Sequence, residues 1–166
     1  MIPYGRQKIS RDDIREAVKA LKSGWLTQGP KVLEFEKALA EYCGAKYAVT
    51  ASNGTAALHL AYLAAGIKKG AEVITTPNTF ASTANMLMVI GAVPVFCDIR
   101  LDTYNIDETG IENLITKETK AIVPMHFAGQ LCDMAALNKI AQKNNLIVIE
   151  DACHALGAGI KDKKIG

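Results

Sequence analysis

Apolar positions in this chain change their spacing once, near residue 46, and the two spacings predict different structures. Before that point the period is helical. Ser10 followed by Asp13 has the form of a capping box, and Ile14, Val18 and Leu21 recur on one face of the helix it would open. Ser23-Gly24 breaks that helix and leads into the loop WLTQGP at 25–30. Val32, Phe35, Glu36 and Leu39 then fall at the spacing of a second amphipathic helix. Residues 1–45 therefore read as an N-terminal helical segment.

From Lys46 onward short apolar runs alternate with helical stretches. The runs lie at 47–50, 72–75, 93–96, 121–124 and 146–149, and the helical stretches at 55–65, 80–90, 107–115 and 133–143. Strand alternating with helix predicts an α/β fold, a mostly parallel sheet with helices on both faces. The run LIVIE is apolar at nearly every position, which predicts a strand buried on both sides. In such sheets ligands bind where strands end and helices begin. The positions to question are Asn53-Gly54-Thr55, Pro77 to Phe80, Asp98, His126 and Glu150-Asp151.

Composition narrows the functional classes. The chain has 166 residues, 49% hydrophobic and 22% charged, with a formal net charge of +2. Its lysines and arginines are scattered among acids, so neither nucleic acid nor an anionic membrane is an expected partner. No apolar run approaches the roughly 20 residues of a membrane helix. The polar start MIPYGRQKIS lacks the apolar core of a signal peptide, and the expected location is the cytoplasm. Cys43, Cys97, Cys132 and Cys153 form no CxxC pair and have no histidine at zinc spacing, which predicts reduced thiols and no metal centre.

At Ser52-Asn53-Gly54-Thr55 two cap formers, a glycine and a hydroxyl precede an alanine-rich helix. Free N–H groups and the helix dipole suit an anion there, and a plain helix cap suits the same residues, so both readings stand. Neither GxGxxG nor GxxxxGK[ST] is present. Phe80 could stack on a flat ring or pack its helix onto the sheet. Asp151 stands at the edge of a low-dielectric interior and needs a partner, for which a cationic ring nitrogen or a local turn would serve. His154 follows one short turn later. His126 and Asp98 have weaker claims; a strand-end histidine is more often structural, and no further ligands accompany Asp98. His59 reads as a packed helical residue.

Taken in order, WLTQGPKVLEFE, SNGTAALHL, EVITTPNTFASTANM, GAVPVFCDI, YNID, TKAIVPMHFAGQ and IEDACHALGA resemble the DegT/DnrJ/EryC1/StrS family of sugar aminotransferases. The resemblance runs from GRQKIS to the last residue. It implies the large domain of an aspartate-aminotransferase-like fold over 46–166, with a small C-terminal domain absent. It implies pyridoxal 5'-phosphate as cofactor, with Asn53, Gly54 and Thr55 at its phosphate. Phe80 would stack on its ring, Asp151 pair with the ring nitrogen, and His154 stand near the ring hydroxyl. Thr27 and His126 would face the sugar. The implied reaction moves nitrogen from glutamate to a UDP-linked keto-sugar. PYGRQ, WLTQGP and HFAGQ resemble the branch that aminates position 4 of UDP-4-keto-6-deoxy-N-acetylhexosamine for pseudaminic acid. A homodimer is expected of the full-length family.

One departure matters. The family's Schiff-base lysine lies beyond Gly166, and Lys161, Lys163 and Lys164 in GIKDKKIG read as a solvated hairpin. The expectation is an N-terminal fragment inactive by itself, whose sheet keeps an unpaired edge. Two other readings stand beside it. One is a binding remnant or half of a split enzyme; the other is an unrelated α/β nucleotide- or metal-binding domain using Asp98 and Asp151.

Overall fold

The computed structural model describes residues 7–160 and 163–165. The chain divides into two compact units, one through Thr50 and one from Ala51 onward.

The first unit carries helices α1 (Arg11–Lys22) and α2 (Pro30–Cys43). The Ser10 hydroxyl accepts from the Asp13 N–H at 3.2 Å, and the Asp13 carboxylate accepts from the Ser10 N–H at 2.7 Å. The Ser10 N–H, and then the Ser10 hydroxyl donating at 2.8 Å, hold the Asp13 carboxyl below its usual range. Pro30 opens α2, where its missing N–H costs nothing, and Gly44 ends it at φ 69°. The apolar face of α1 is not covered: Ile14, Val18 and Leu21 are all exposed. The run at 47–50 has no regular secondary structure and is not the expected strand. The Thr50 N–H and hydroxyl both go to the Glu36 carboxylate, at 2.8 and 2.9 Å, and not to a neighbouring strand. Tyr47 and Val49 stay exposed.

The second unit is a four-stranded parallel sheet with helices on both faces. In chain order it runs α3 (Gly54–Ala64), β1 (Glu72–Thr75), α4 (Ser82–Val89), β2 (Val93–Phe96), α5 (Glu108–Ile111), β3 (Thr119–Ile122), α6 (Met134–Asn144) and β4 (Ile147–Val148). A 3-10 turn, Glu112–Leu114, continues α5. The strands lie in the order β2-β1-β3-β4, with Val73 opposite Pro94 and Ala121, and Ala121 opposite Ile147.

Period-two alternation along the central strands sorts the core into two layers. Val73, Ala121 and Val123 point to one face, where Leu58 and Tyr62 of α3 and Leu87 of α4 cover them. Ile74 and Ile122 point to the other, against Ile111 of α5 and Leu137 and Ala141 of α6. Each fully buried aliphatic side chain of this set contributes on the order of 1.5–3 kcal/mol.

Strands β1 and β2 have the bounds their sequence predicts, whereas β3 starts two residues earlier than its apolar run. The run LIVIE departs further. Only Ile147 and Val148 form strand, and Ile147 is 43% exposed. Val148 and Ile149 do pack toward opposite faces, but β4 is an edge strand with a neighbour on one side. At the chain's end β5 (Gly159–Ile160) pairs antiparallel with β6 (Lys163–Lys164), the hairpin its sequence predicts. Lys161 lies outside the described residues. Among the described residues no helix is long and apolar enough to cross a membrane.

Candidate active site

All four parallel strands end at the same edge, and three of the questioned segments converge there. The first is the start of α3. The Asn53 side chain accepts from the Ala56 N–H at 2.9 Å and its carbonyl accepts from the Ala57 N–H, so neither engages the N–H groups of Gly54 and Thr55. Among the described residues these two donors, at the positive end of an eleven-residue helix, have no acceptor. A Cβ on Gly54 would stand 2.8 Å from the Cys153 sulfur, closer than real Cβ atoms come. Glycine at 54 thus lets the helix start meet the segment after β4.

That segment carries Asp151, 3% exposed. Its backbone continues the β3–β4 pairing: the Asp151 N–H donates to the Pro124 carbonyl at 2.8 Å, and its carbonyl accepts from the His126 N–H at 3.1 Å. One carboxylate oxygen, Oδ2, accepts from the Thr83 hydroxyl at 2.7 Å. The other, Oδ1, accepts a longer bond of 3.3 Å from the Cys153 N–H. Asp151 therefore also closes a local turn, the alternative the sequence left open. Its negative charge reaches Tyr62: burial first, and Asp151 second, push the Tyr62 phenol up.

The third segment is the entry to α4. Phe80 is 71% exposed, so it does not serve to pack the helix onto the sheet. Its carbonyl accepts from the Thr83 N–H at 3.1 Å, which places the exposed ring one turn from the hydroxyl that holds Asp151. Thr83, Cys153 and Tyr62 were not singled out from the sequence. The one local trace was Thr79 and Thr83, two hydroxyls four residues apart at a helix start.

His154 is exposed, accepts from the Ala128 N–H on Nδ1 at 3.3 Å, and meets the Phe127 ring edge-on at 6.4 Å. His126 is fully buried. Its Nδ1 accepts from the Cys132 N–H at 3.1 Å, which puts its proton on Nε2, 2.9 Å from the Glu150 carboxylate. It presents no surface to a ligand here. Thr27 belongs to the first unit, in the loop before α2. The Asp98 carboxylate accepts from the Ile99 N–H and its carbonyl from the Asp107 N–H, both at 2.8 Å.

Residues 7–166 match the sequence model of the DegT/DnrJ/EryC1/StrS aminotransferase family. The chain belongs to that family. It is 50% identical over 165 residues to the spore coat polysaccharide biosynthesis protein SpsC of Bacillus subtilis, a match covering 99% of this chain and 42% of SpsC. Among solved structures it resembles Helicobacter pylori PseC, an aminotransferase of pseudaminic acid biosynthesis. There the TM-score is 0.92 with 37% identity, covering 99% of this chain and 44% of that one. It also resembles Spr1654 of Streptococcus pneumoniae in its PLP form, at TM-score 0.91 and 32% identity, covering 98% of this chain and 45% of that one. The chain spans less than half the length of the curated relatives it matches. Its α/β architecture is the N-terminal part of the pyridoxal-phosphate aminotransferase fold, and pyridoxal phosphate is the cofactor this family uses.

The cluster fits that cofactor on its own geometry. A phosphate suits the two N–H donors left open at the start of α3, a flat ring suits the exposed Phe80, and a protonated ring nitrogen suits the Asp151 carboxylate. A separate cleft of about 480 Å³, lined by Arg100, Asn105, Glu108 and Asp133, does not contain these residues. Its one arginine is already held by Asp102 and Glu108 at 2.9 and 2.8 Å.

All four cysteines are free thiols. Cys153 is exposed as a residue, yet its sulfur is turned in against Gly54, and its thiol is pushed up to about 11 by burial and by the adjoining Asp151 carboxylate. A thiol at about 11 holds roughly a hundred-fold less thiolate at pH 8 than an ordinary one. Cys153 is therefore expected to alkylate slowly at pH 8 and faster with each step toward pH 10, followed by peptide mass spectrometry in iodoacetamide. A rate at pH 8 equal to that of a free cysteine peptide would contradict this.

Proposed function

We propose that this chain forms the cofactor-binding part of a transaminase that moves an amino group from glutamate to a nucleotide-linked keto-sugar. The convergence of the α3 start, Phe80 and Asp151 at one sheet edge carries this reading. When bound, pyridoxal phosphate supplies the electron sink that lets nitrogen move between donor and acceptor. The protein's part is to bind, orient and hold charge. Gly54 and Thr55, with Asn53 capping behind them, take the phosphate; Phe80 sets the ring plane; Asp151 keeps the ring nitrogen protonated; His154 lies toward the ring hydroxyl.

For substrate, the reading favours UDP-4-keto-6-deoxy-N-acetylhexosamine, with the chain acting as a UDP-4-amino-4,6-dideoxy-N-acetyl-β-L-altrosamine transaminase. PYGRQ, WLTQGP and HFAGQ and the likeness to PseC support this, with Thr27 and His126 on the sugar side. His126 would reach substrate only after giving up its bond to Glu150, so its part in this proposal is the least direct. A cytoplasmic homodimer with a small C-terminal domain completes the reading. The lysine that holds the cofactor comes from outside these 166 residues.

Two measurements test this. Full-length protein is titrated with pyridoxal phosphate and then assayed with glutamate and the UDP-keto-sugar; transfer of nitrogen to position 4 is expected. A protein that binds no pyridoxal phosphate ends the reading, and one that aminates only other keto-sugars ends its substrate part. In a sample of residues 1–166 alone, borohydride reduction with pyridoxal phosphate is expected to fix the cofactor to no single lysine. Stoichiometric trapping on Lys161, Lys163 or Lys164, found by peptide mapping, would show that the hairpin supplies the lysine.

A further inference from the structure

We propose that Thr83 is a positioning residue for the cofactor: its hydroxyl fixes the Asp151 carboxylate so that Oδ1 is left to meet the ring nitrogen. The proposal rests on the pyridoxal phosphate reading and adds a residue to it.

The geometry is specific. Thr83 is fully buried and is held at three points. Its N–H donates to the Phe80 carbonyl at 3.1 Å, its carbonyl accepts from the Tyr62 hydroxyl at 3.0 Å, and its hydroxyl lies 2.8 Å from that of Thr79. A hydroxyl has one proton to give. The carboxylate 2.7 Å away accepts it, so Thr79 is the donor in the Thr79–Thr83 pair and the chain runs Thr79 to Thr83 to Asp151 Oδ2. A β-branched residue in a helix has few χ1 rotamers, and this one is set by packing.

The consequence is alignment. A carboxylate bonded at one oxygen only by a 3.3 Å N–H contact could turn about its Cβ–Cγ bond. The short bond at Oδ2 removes that freedom. Phe80 stands on the same turn, through the Thr83 N–H, so the ring plane and the ring-nitrogen partner are both referenced to the start of α4. Preorganised groups of this kind spare the cost of ordering them on binding.

The alternative is that Thr83 only ties α4 to the sheet edge. A double-mutant cycle in the full-length protein separates the two, reading the pyridoxal phosphate dissociation constant by equilibrium dialysis. The pH dependence of the bound cofactor's absorbance gives a second readout. Thr83→Val is expected to weaken binding about ten-fold and Thr83→Ser by less than about two-fold, as for loss and retention of one charge-assisted bond. Thr83→Val should also lower the pH at which the bound ring loses its proton, because a misaligned carboxylate stabilises that proton less. With Asp151→Asn already in place, Thr83→Val should cost less than about two-fold more, because its effect acts through that carboxylate. Wild-type binding in Thr83→Val, or the same ten-fold loss with Asp151→Asn present, overturns the proposal. Should Thr83→Val not fold, Thr83→Cys reports the same bond through a weaker donor, and wild-type binding there overturns it equally. If Asp151→Asn weakens binding while Thr83→Val is silent, Thr83 fails and the cofactor reading stands. If the wild type binds no pyridoxal phosphate, both fall.

Discussion

Asp151→Ala is expected to cost the full-length enzyme roughly a hundred- to a few thousand-fold in turnover, the scale set by removing one partner of a buried charge pair. A second loss comes with it. Asp151 is 3% exposed and accepts the Thr83 hydroxyl, so alanine removes that bond, leaves the hydroxyl only its Thr79 neighbour and opens space beside it. Loss of a hydrogen bond to a charged group costs about 1.5–3 kcal/mol, and this would appear in the cofactor-free protein. Asp151→Asn separates the two effects. Its amide oxygen can still accept from Thr83, so the cofactor-free unfolding midpoint should stay near wild type. Its neutral amide cannot hold a proton on a ring nitrogen by charge, so turnover should fall almost as far as in alanine. Denaturant titration without cofactor and steady-state kinetics with it are the two measurements. Asparagine with wild-type turnover would mean that Asp151 is a structural turn residue and that the ring nitrogen has another partner or none.

The contrast between these two variants bears on what could be read before any coordinates. The sheet was legible because its signals are local. The β-branched run at 72–75 and the run at 93–96 have the bounds their composition predicts, and Asn53 before an alanine-rich stretch marks a helix start. Strand ends are legible for the same reason, which brings Asp151 and Phe80 into view, whereas Gly54 is legible as a helix start after a run that forms no strand. What failed depends on partners distant in sequence. The run at 47–50 looks like a strand, but the Glu36 carboxylate takes the Thr50 N–H that a ladder would need. LIVIE looks doubly buried, but an edge position leaves Ile147 partly bare. Thr83 reaches Asp151 across 68 residues, and nothing in TFAST says which threonine will face a carboxylate. His126 was named for its place after a strand, and that place is real. Both its ring nitrogens are taken by Cys132 and Glu150, six and 24 residues away.

Gly54→Ala carries the second large effect, and its sign should depend on Cys153. An alanine methyl would meet the Cys153 sulfur at 2.8 Å. To give way, the sulfur must leave its interaction with the Asp151 carboxylate, although the Cys153 N–H that bonds Oδ1 stays in place. Overpacking of this kind costs about 1–3 kcal/mol of stability. Against it stands helix propensity, which favours alanine over glycine by about 1 kcal/mol at most. The clash should win, and Gly54→Ala is expected to destabilise the protein. With Cys153→Ala present the clash is gone and propensity alone remains, so the same Gly54→Ala change should become neutral or slightly stabilising. The cofactor gives the independent reading. If close approach of phosphate oxygens to the α3 start also requires glycine at 54, relief at Cys153 does not restore it. Gly54→Ala should then weaken pyridoxal phosphate binding in both backgrounds while leaving binding of pyridoxal, which lacks the phosphate, nearly unchanged in the relieved one. Equal losses for both ligands would place the effect in packing. Full recovery of pyridoxal phosphate binding by Cys153→Ala would mean that Gly54 is glycine for the sake of Cys153 alone.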